Sequence, residues 1–324
     1  MNRLPAPASP VTHRIDPEFS WVETLPRIDI GDVHAARAAF VPVQDDRPQW
    51  AGSVEVVERR VPRAGDDGEI AVRLYVPKTD RPALPAVVYA HGGSFVVGGL
   101  DTHHDGCGRW AAEVEAVVVN VDYRLAPEHR YPLGLEDYYA VLCWVAGHAA
   151  DLGVDPDRLA VAGSSAGGGL AAAAALLARD RGGPPLAFQL LAYPALDDRR
   201  RTGSMRVFAD APIFDARSAE LAWSHYLGPG HPEPSPYAAA ARAEDLAALP
   251  PAYVLVCDVD PLRDEDLAYA TRMLDAGVPV ELHLYPGTPH GFDVMPGRLA
   301  GLERAGQVAA LRRALWPDRA GDRP

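Results

Sequence analysis

Polar and apolar residues alternate along two early stretches, Val54-Glu55-Val56-Val57-Glu58 and Ile70-Ala71-Val72-Arg73-Leu74-Tyr75-Val76, with the turn-forming run Gly65-Asp66-Asp67-Gly68 between them. A period of two gives a strand one buried and one wet face, so this region predicts an antiparallel hairpin or meander at one end of a sheet. Beyond it the pattern changes to short, continuously apolar runs at residues 86–90, 117–121, 159–162, 186–192, 253–256 and 280–284. Runs with no wet face predict strands buried on both sides, hence a mostly parallel sheet with helices on each face. The intervening segments carry helical spacing, as in Leu135, Tyr139, Leu142 and Val145, or Leu267, Ala270 and Leu274 with Gly277 as the stop. A last helix is expected over about 299–315.

Two regions break this rhythm. Residues 1–50 are rich in Pro and Ala, with one helix-like stretch at 33–40 after a possible cap at Asp32, and read as an appendage to the core. Residues 196–250 open with Asp197-Asp198-Arg199-Arg200-Arg201 and contain a helix-like stretch at 218–227; an insertion of this length between strands predicts a lid or binding element. The division expected is an N-terminal cap segment at 1–50, a core at 51–196 and 250–324, and a cap insertion at 197–249.

Composition narrows the partners. With 44 acidic against 31 basic residues the net charge is −13, which disfavours nucleic-acid backbones and anionic membranes. No apolar run approaches the ~20 residues that span a bilayer. The start, Met1-Asn2-Arg3-Leu4-Pro5-Ala6-Pro7, lacks a leader's apolar stretch, so a cytoplasmic location is expected. Cys107, Cys143 and Cys257 are too few and too scattered for a disulfide framework or zinc site, and Cys143 and Cys257 sit in apolar contexts expected of core thiols.

The chemistry enters at Val161-Ala162-Gly163-Ser164-Ser165-Ala166-Gly167-Gly168-Gly169, between a strand-like run and an Ala-rich helix former. Gly-x-Ser-x-Gly in that context is a nucleophile elbow, and the pattern selects Ser165 over Ser164. A serine hydroxyl needs a base and the base an orienting carboxylate, supplied in this topology after later strands. Asp260 follows the run at 253–256, with Asp258 and Asp264 as rivals and helix capping as its ordinary alternative. His290 follows the run at 280–284 in a Gly- and Pro-bearing loop, which favours it over His283 within that run. Tyr89-Ala90-His91-Gly92-Gly93-Ser94-Phe95 is close to the loop that lends an amide to an oxyanion hole, together with the amide of Ala166. Metal binding by His91 with His103, His104 and Asp105 is the rival reading; the run lacks a metal-ligand spacing, so no metal is expected.

Four motifs then carry a resemblance: His91-Gly92-Gly93-Ser94-Phe95, Asp122-Tyr123-Arg124-Leu125-Ala126-Pro127-Glu128-His129, Gly163-Ser164-Ser165-Ala166-Gly167-Gly168, and Asp260-Pro261-Leu262-Arg263-Asp264-Glu265 with His290-Gly291-Phe292 downstream. The chain resembles the hormone-sensitive-lipase-like family of α/β-hydrolases, in its bacterial carboxylesterase branch. The resemblance implies an α/β-hydrolase fold with a mostly parallel central sheet, helices on both faces and a helical cap. It implies Ser165 as nucleophile, His290 as general base and acid, and Asp260 as its orienting carboxylate. It also implies that the amides of Gly93, Ser94 and Ala166 line the oxyanion hole, that Gly92 shapes the loop, and that Tyr123–His129 is structural. The expected activity is hydrolysis of small-molecule carboxylic esters with short to medium acyl chains, without metal or organic cofactor, by a monomer or homodimer. Phe95, Trp223 and Tyr226 are candidate apolar wall residues. Amide, lactone or carbamate hydrolysis, or ligand binding without turnover as in related plant hormone receptors, are the alternatives. Two positions depart from the family: Ser94 replaces the third glycine of the oxyanion loop, and Ser164 stands where an Asp is frequent.

Overall fold

The continuous apolar runs fold as strands because each has an apolar layer on both sides. In the strand at Leu84–Ala90, Val88 and Ala90 face one core while Val87 and Tyr89 face the other. The computed structural model describes residues 14–41, 48–63, 65, 67–229 and 233–317; the first seven residues and Asp66 of the expected turn lie outside these. Eight strands, β1 (Val54–Pro62), β2 (Glu69–Pro77), β3 (Leu84–Ala90), β4 (Val117–Val121), β5 (Val154–Ser164), β6 (Phe188–Ala192), β7 (Ala252–Val259) and β8 (Val280–Pro289), form one sheet in the order β1-β2-β4-β3-β5-β6-β7-β8. β2 runs antiparallel to both neighbours, and from β4 to β8 all pairings are parallel.

The helices are α1 (Val33–Ala39), α2 (His104–Trp110), α3 (Leu133–Gly147), α4 (Ala149–Leu152), α5 (Ala166–Arg181), α6 (Gly203–Val207), α7 (Ala216–Leu227), α8 (Arg263–Asp275) and α9 (Arg298–Leu315). Buried residues of α3, α5 and α8 join one core and those of α2 and α9 the other. The predicted stripe of α3 is buried throughout. In α5 the run Leu170–Ala178 is buried, since alanines let the helix lie close to the sheet. No described helix is long and apolar enough to cross a membrane.

Four expectations are corrected. α8 buries Glu265, Asp266, Tyr269, Ala270 and Met273, and leaves Leu274 exposed: Glu265 turns inward to accept from Leu196 N and Asp197 N, which an apolar count does not see. β8 is an edge strand with Leu282 and Leu284 exposed, not buried on both faces, because nothing pairs beyond it in the sheet. Cys143 is exposed, being one helical step of about 100° past buried Leu142. Part of the presumed appendage is core: Phe19 and Val22, in a short helical turn over Pro17–Thr24, are buried, and Phe19 packs edge-on to Phe292 at 5.8 Å.

Candidate active site

β5 ends at Ser164 and α5 begins at Ala166, so Ser165 must turn the chain within one residue. It does so at φ 54°, ψ −120°, a conformation costly for a residue with a side chain. The surrounding backbone fixes it there: Ser165 N donates to Ala192 O at 2.8 Å, while Gly169 N and Ala195 N each donate to Ser165 O at 3.0 Å. The flanking glycines are steric requirements. A Cβ on Gly163 would lie 2.2 Å from Gly167 O, and one on Gly167 would lie 2.0 Å from Ala90 O.

Asp260 and His290 each follow the end of a strand, β7 and β8, and the structure brings both to Ser165. His290 Nε2 lies 2.9 Å from Ser165 Oγ, and His290 Nδ1 lies 2.6 Å from Asp260 Oδ2. Because Nδ1 faces a carboxylate, it carries the proton and leaves Nε2 as the acceptor toward the serine. Asp260 is fully buried, and its other oxygen accepts from Leu262 N at 2.9 Å, so it also caps the next turn. The rivals have other partners. Asp258 accepts from Gly287 N, Arg14 and Arg263, bracing the loop that carries His290. Asp264 accepts from Ser204 N, and His283 pairs with Glu281.

Two rings that the sequence reading missed hold the imidazole. Phe214 stacks on it at 4.7 Å and Tyr193 meets it edge-on at 4.8 Å. Tyr193 sits at φ 37° just after β6, a strand end where site residues of parallel sheets gather, which was the available signal. Its hydroxyl donates to Asp293 Oδ1 at 2.7 Å, and Gln307 joins Asp293 to Glu303. Burial, reinforced by the charge of Asp293, pushes the Glu303 carboxyl up to about 8.

The loop after β3 folds back on itself: Val96 N and Val97 N both donate to Gly93 O at 2.9 Å. Gly93 has φ 126°, and a Cβ there would strike Val97 O at 2.1 Å. A Cβ on Gly92 would lie 3.5 Å from Ser165 Cβ, so this loop abuts the elbow. Gly92, Gly93 and Ser94 line one cleft with Ser164, Ser165 and His290, and Ala166 is the first residue of α5, where an amide has no helical acceptor. Ser164 Oγ pairs with the Tyr89 hydroxyl at 2.9 Å.

His91 stacks on Tyr123 at 4.3 Å, and burial lowers its pKa to about 4. The neutral ring donates from Nδ1 to Gly92 O at 2.7 Å. His104 Nδ1 instead faces the Tyr75 hydroxyl at 2.8 Å, and no three His, Cys, Asp or Glu side chains among the described residues converge as metal ligands. The Tyr123–His129 segment buttresses the loop: the Tyr123 hydroxyl donates to His91 O and Ala126 N to Phe95 O, while Arg37 of α1 grips Glu128 with two hydrogen bonds of 2.8 Å.

The cleft has a volume of about 570 Å³. Its apolar walls come from Leu25, Ile28 and Phe40 before the sheet begins, and from Pro212, Ile213 and Phe214 in the insertion. Arg27 ties these two stretches together, donating to Asp215 Oδ2 at 2.5 Å and Asp210 O at 2.8 Å; His225 Nε2 adds a contact of 2.9 Å to Ile30 O. Phe95, Trp223 and Tyr226 are not among the lining residues. Phe95 stacks on Tyr226 at 4.0 Å and lies 5.6 Å from Trp223, a buried cluster that packs α7 against the loop after β3.

Comparison with known proteins agrees with this architecture. A family model for the alpha/beta hydrolase fold matches residues 87–294. Esterase LipI of Mycobacterium tuberculosis is 47% identical over 259 residues, covering 78% of this chain and 80% of LipI. Carboxylesterase NlhH of the same organism is 46% identical over 281 residues, covering 83% and 85% respectively. Among solved structures, a bacterial heroin esterase superposes with a TM-score of 0.88 at 40% identity, covering 94% of this chain and 99% of its own. This chain therefore belongs to the hormone-sensitive-lipase-like carboxylesterase group of the α/β-hydrolase family, and it is a carboxylic ester hydrolase.

Proposed function

We propose that the chain hydrolyses small carboxylic esters through an acyl-enzyme on Ser165, with His290 as general base and acid and Asp260 as the carboxylate that orients it. The observation carrying this reading is the chain of contacts at 2.9 and 2.6 Å linking Ser165, His290 and Asp260 beside an apolar cleft. Ser165 Oγ attacks the ester carbonyl as its proton passes to His290 Nε2, and the imidazolium is balanced by Asp260. The amides of Gly93, Ser94 and Ala166 receive the charge that develops on the carbonyl oxygen; one such donor is worth roughly 3 kcal/mol of barrier. His290 then protonates the departing alkoxide, and later takes a proton from the water that releases the acid. No step calls on a metal or organic cofactor. A cleft of about 570 Å³ suits short to medium acyl chains, under a cap formed by the N-terminal segment and the insertion.

A serine-directed phosphonate should add its mass to the peptide bearing Ser165; labelling elsewhere, or none, would overturn the triad assignment. A series of nitrophenyl esters of increasing acyl length, run beside Ser165→Ala, should give its highest kcat/KM at short to medium chains. Turnover no greater than that of Ser165→Ala would instead favour a ligand-binding role.

A further inference from the structure

His103 precedes α2 and is 8% exposed, and the surface it retains lies in the same cleft as Ser165. Its ring stacks on Tyr89 at 4.7 Å, and the same Tyr89 bonds to Ser164 beside the nucleophile. Gly106 lies close against the ring, since a Cβ there would come within 2.5 Å of His103 Cδ2, and the Trp110 ring is 6.4 Å away. His91 Nε2 is buried without a partner, whereas the ring nitrogens of His103, which also have no partner among the described residues, are not sealed from the cleft. Burial lowers its pKa to about 4, so at neutral pH it offers one donor and one acceptor. An unpartnered ring at the cleft wall can therefore bond an oxygen of a bound substrate. Phenylalanine would fill the same space and stack equally well, so packing alone does not account for the two nitrogens.

We propose that His103 is a specificity-determining residue that hydrogen-bonds a hydroxyl or carbonyl oxygen on the part of the ester lying beside the oxyanion loop. Thr102, Gly92, Ser94 and Ser164 line the same cleft, and all come from the loop after β3 or the end of β5, not from the cap segments. The core side of the cleft thus offers polar groups near Ser165, while Leu25, Ile28, Pro212, Ile213 and Phe214 supply apolar surface from the cap segments. The preferred substrates carry a second oxygen on one side of the scissile bond and hydrocarbon on the other.

This inference rests on the ester-hydrolase reading, and the test separates the two. Two matched pairs are compared by kcat/KM: nitrophenyl butyrate with nitrophenyl β-hydroxybutyrate, and butyl acetate with hydroxybutyl acetate. The wild-type protein should favour the hydroxylated member of one pair by about tenfold, the worth of one well-made hydrogen bond. In His103→Phe, which keeps the stack on Tyr89, that ratio should fall to about one, with the unsubstituted ester as the reference within each variant. His103→Gln, which keeps a donor and an acceptor, should retain most of the preference and serves if the Phe variant misfolds. A wild-type ratio near one in both pairs, or a preference that survives His103→Phe, overturns the inference. Absence of turnover on all four esters overturns the ester-hydrolase reading itself.

Discussion

Ser165 and the loop after β3 are held by main-chain hydrogen bonds and by glycines that admit no other residue, whereas the walls above the same cleft are held by side chains. Below, Ser165 is fixed by three backbone bonds of 2.8 to 3.0 Å and Gly167 by a carbonyl 2.0 Å from where its Cβ would be. Above, residues 14–41 meet the insertion through Arg27, whose side chain is 55% exposed, and through His225. Main-chain fixation tolerates almost no substitution. A roof tied by side chains can exchange residues without moving the reacting atoms.

The sharpest way to break this contrast is at Asp260, the carboxylate proposed to orient His290. Asp260→Asn should lower kcat by about ten-thousand-fold while leaving the fold intact, because an amide favours the wrong imidazole tautomer; steady-state kinetics beside a circular-dichroism spectrum would check it, and a near-normal rate would remove Asp260 from the site. Next is Gly167→Ala, which forces a methyl group against Ala90 O and should destabilise the protein by about 3 kcal/mol in urea unfolding. A benign outcome would mean that the floor is less rigid than its packing implies.

Glu303, under the site, supplies a pH signature. Its carboxyl is raised from an ordinary 4.5 to about 8, so between these values the folded protein holds a proton that the unfolded chain has released. That contribution to stability is fully present below about 4.5 and is lost as pH rises through about 8. Glu303→Gln, which has no proton to lose, should gain on wild type across this window by on the order of 2 kcal/mol, measured as the difference in Tm against pH. The smallest effect is expected in the roof. Arg27→Gln should cost less than about 1 kcal/mol of stability, since the pair is half exposed, and should raise KM a few-fold with kcat nearly unchanged.

That Ser165, Asp260 and His290 meet was legible because each follows a strand of a parallel sheet, and strand order restricts the candidates. The choice of Asp260 over Asp258 was less so, since Asp258 is near the end of β7 and Asp260 just after it, and the structure separates the one that meets His290 from the one that braces Gly287. The cleft walls were the least legible. Apolar periodicity reports that Trp223 and Tyr226 are buried, not what they are buried against, and they pack on Phe95 behind the loop. Leu25, Ile28 and Pro212 face the cleft from irregular chain with no period to read. The buried carboxylates of α8 escaped for a related reason: a helix face that carries acidic residues looks, in sequence, like a solvent face even when it is buried.

Phe214 belongs to the insertion yet lies flat on His290 at 4.7 Å. A swing of that segment large enough to widen the entrance also strips the ring from the imidazole and lets water reach it. In such a swing, wider access for a bulky guest would come with less shelter for His290. The size of the ring at position 214 would then bear on both.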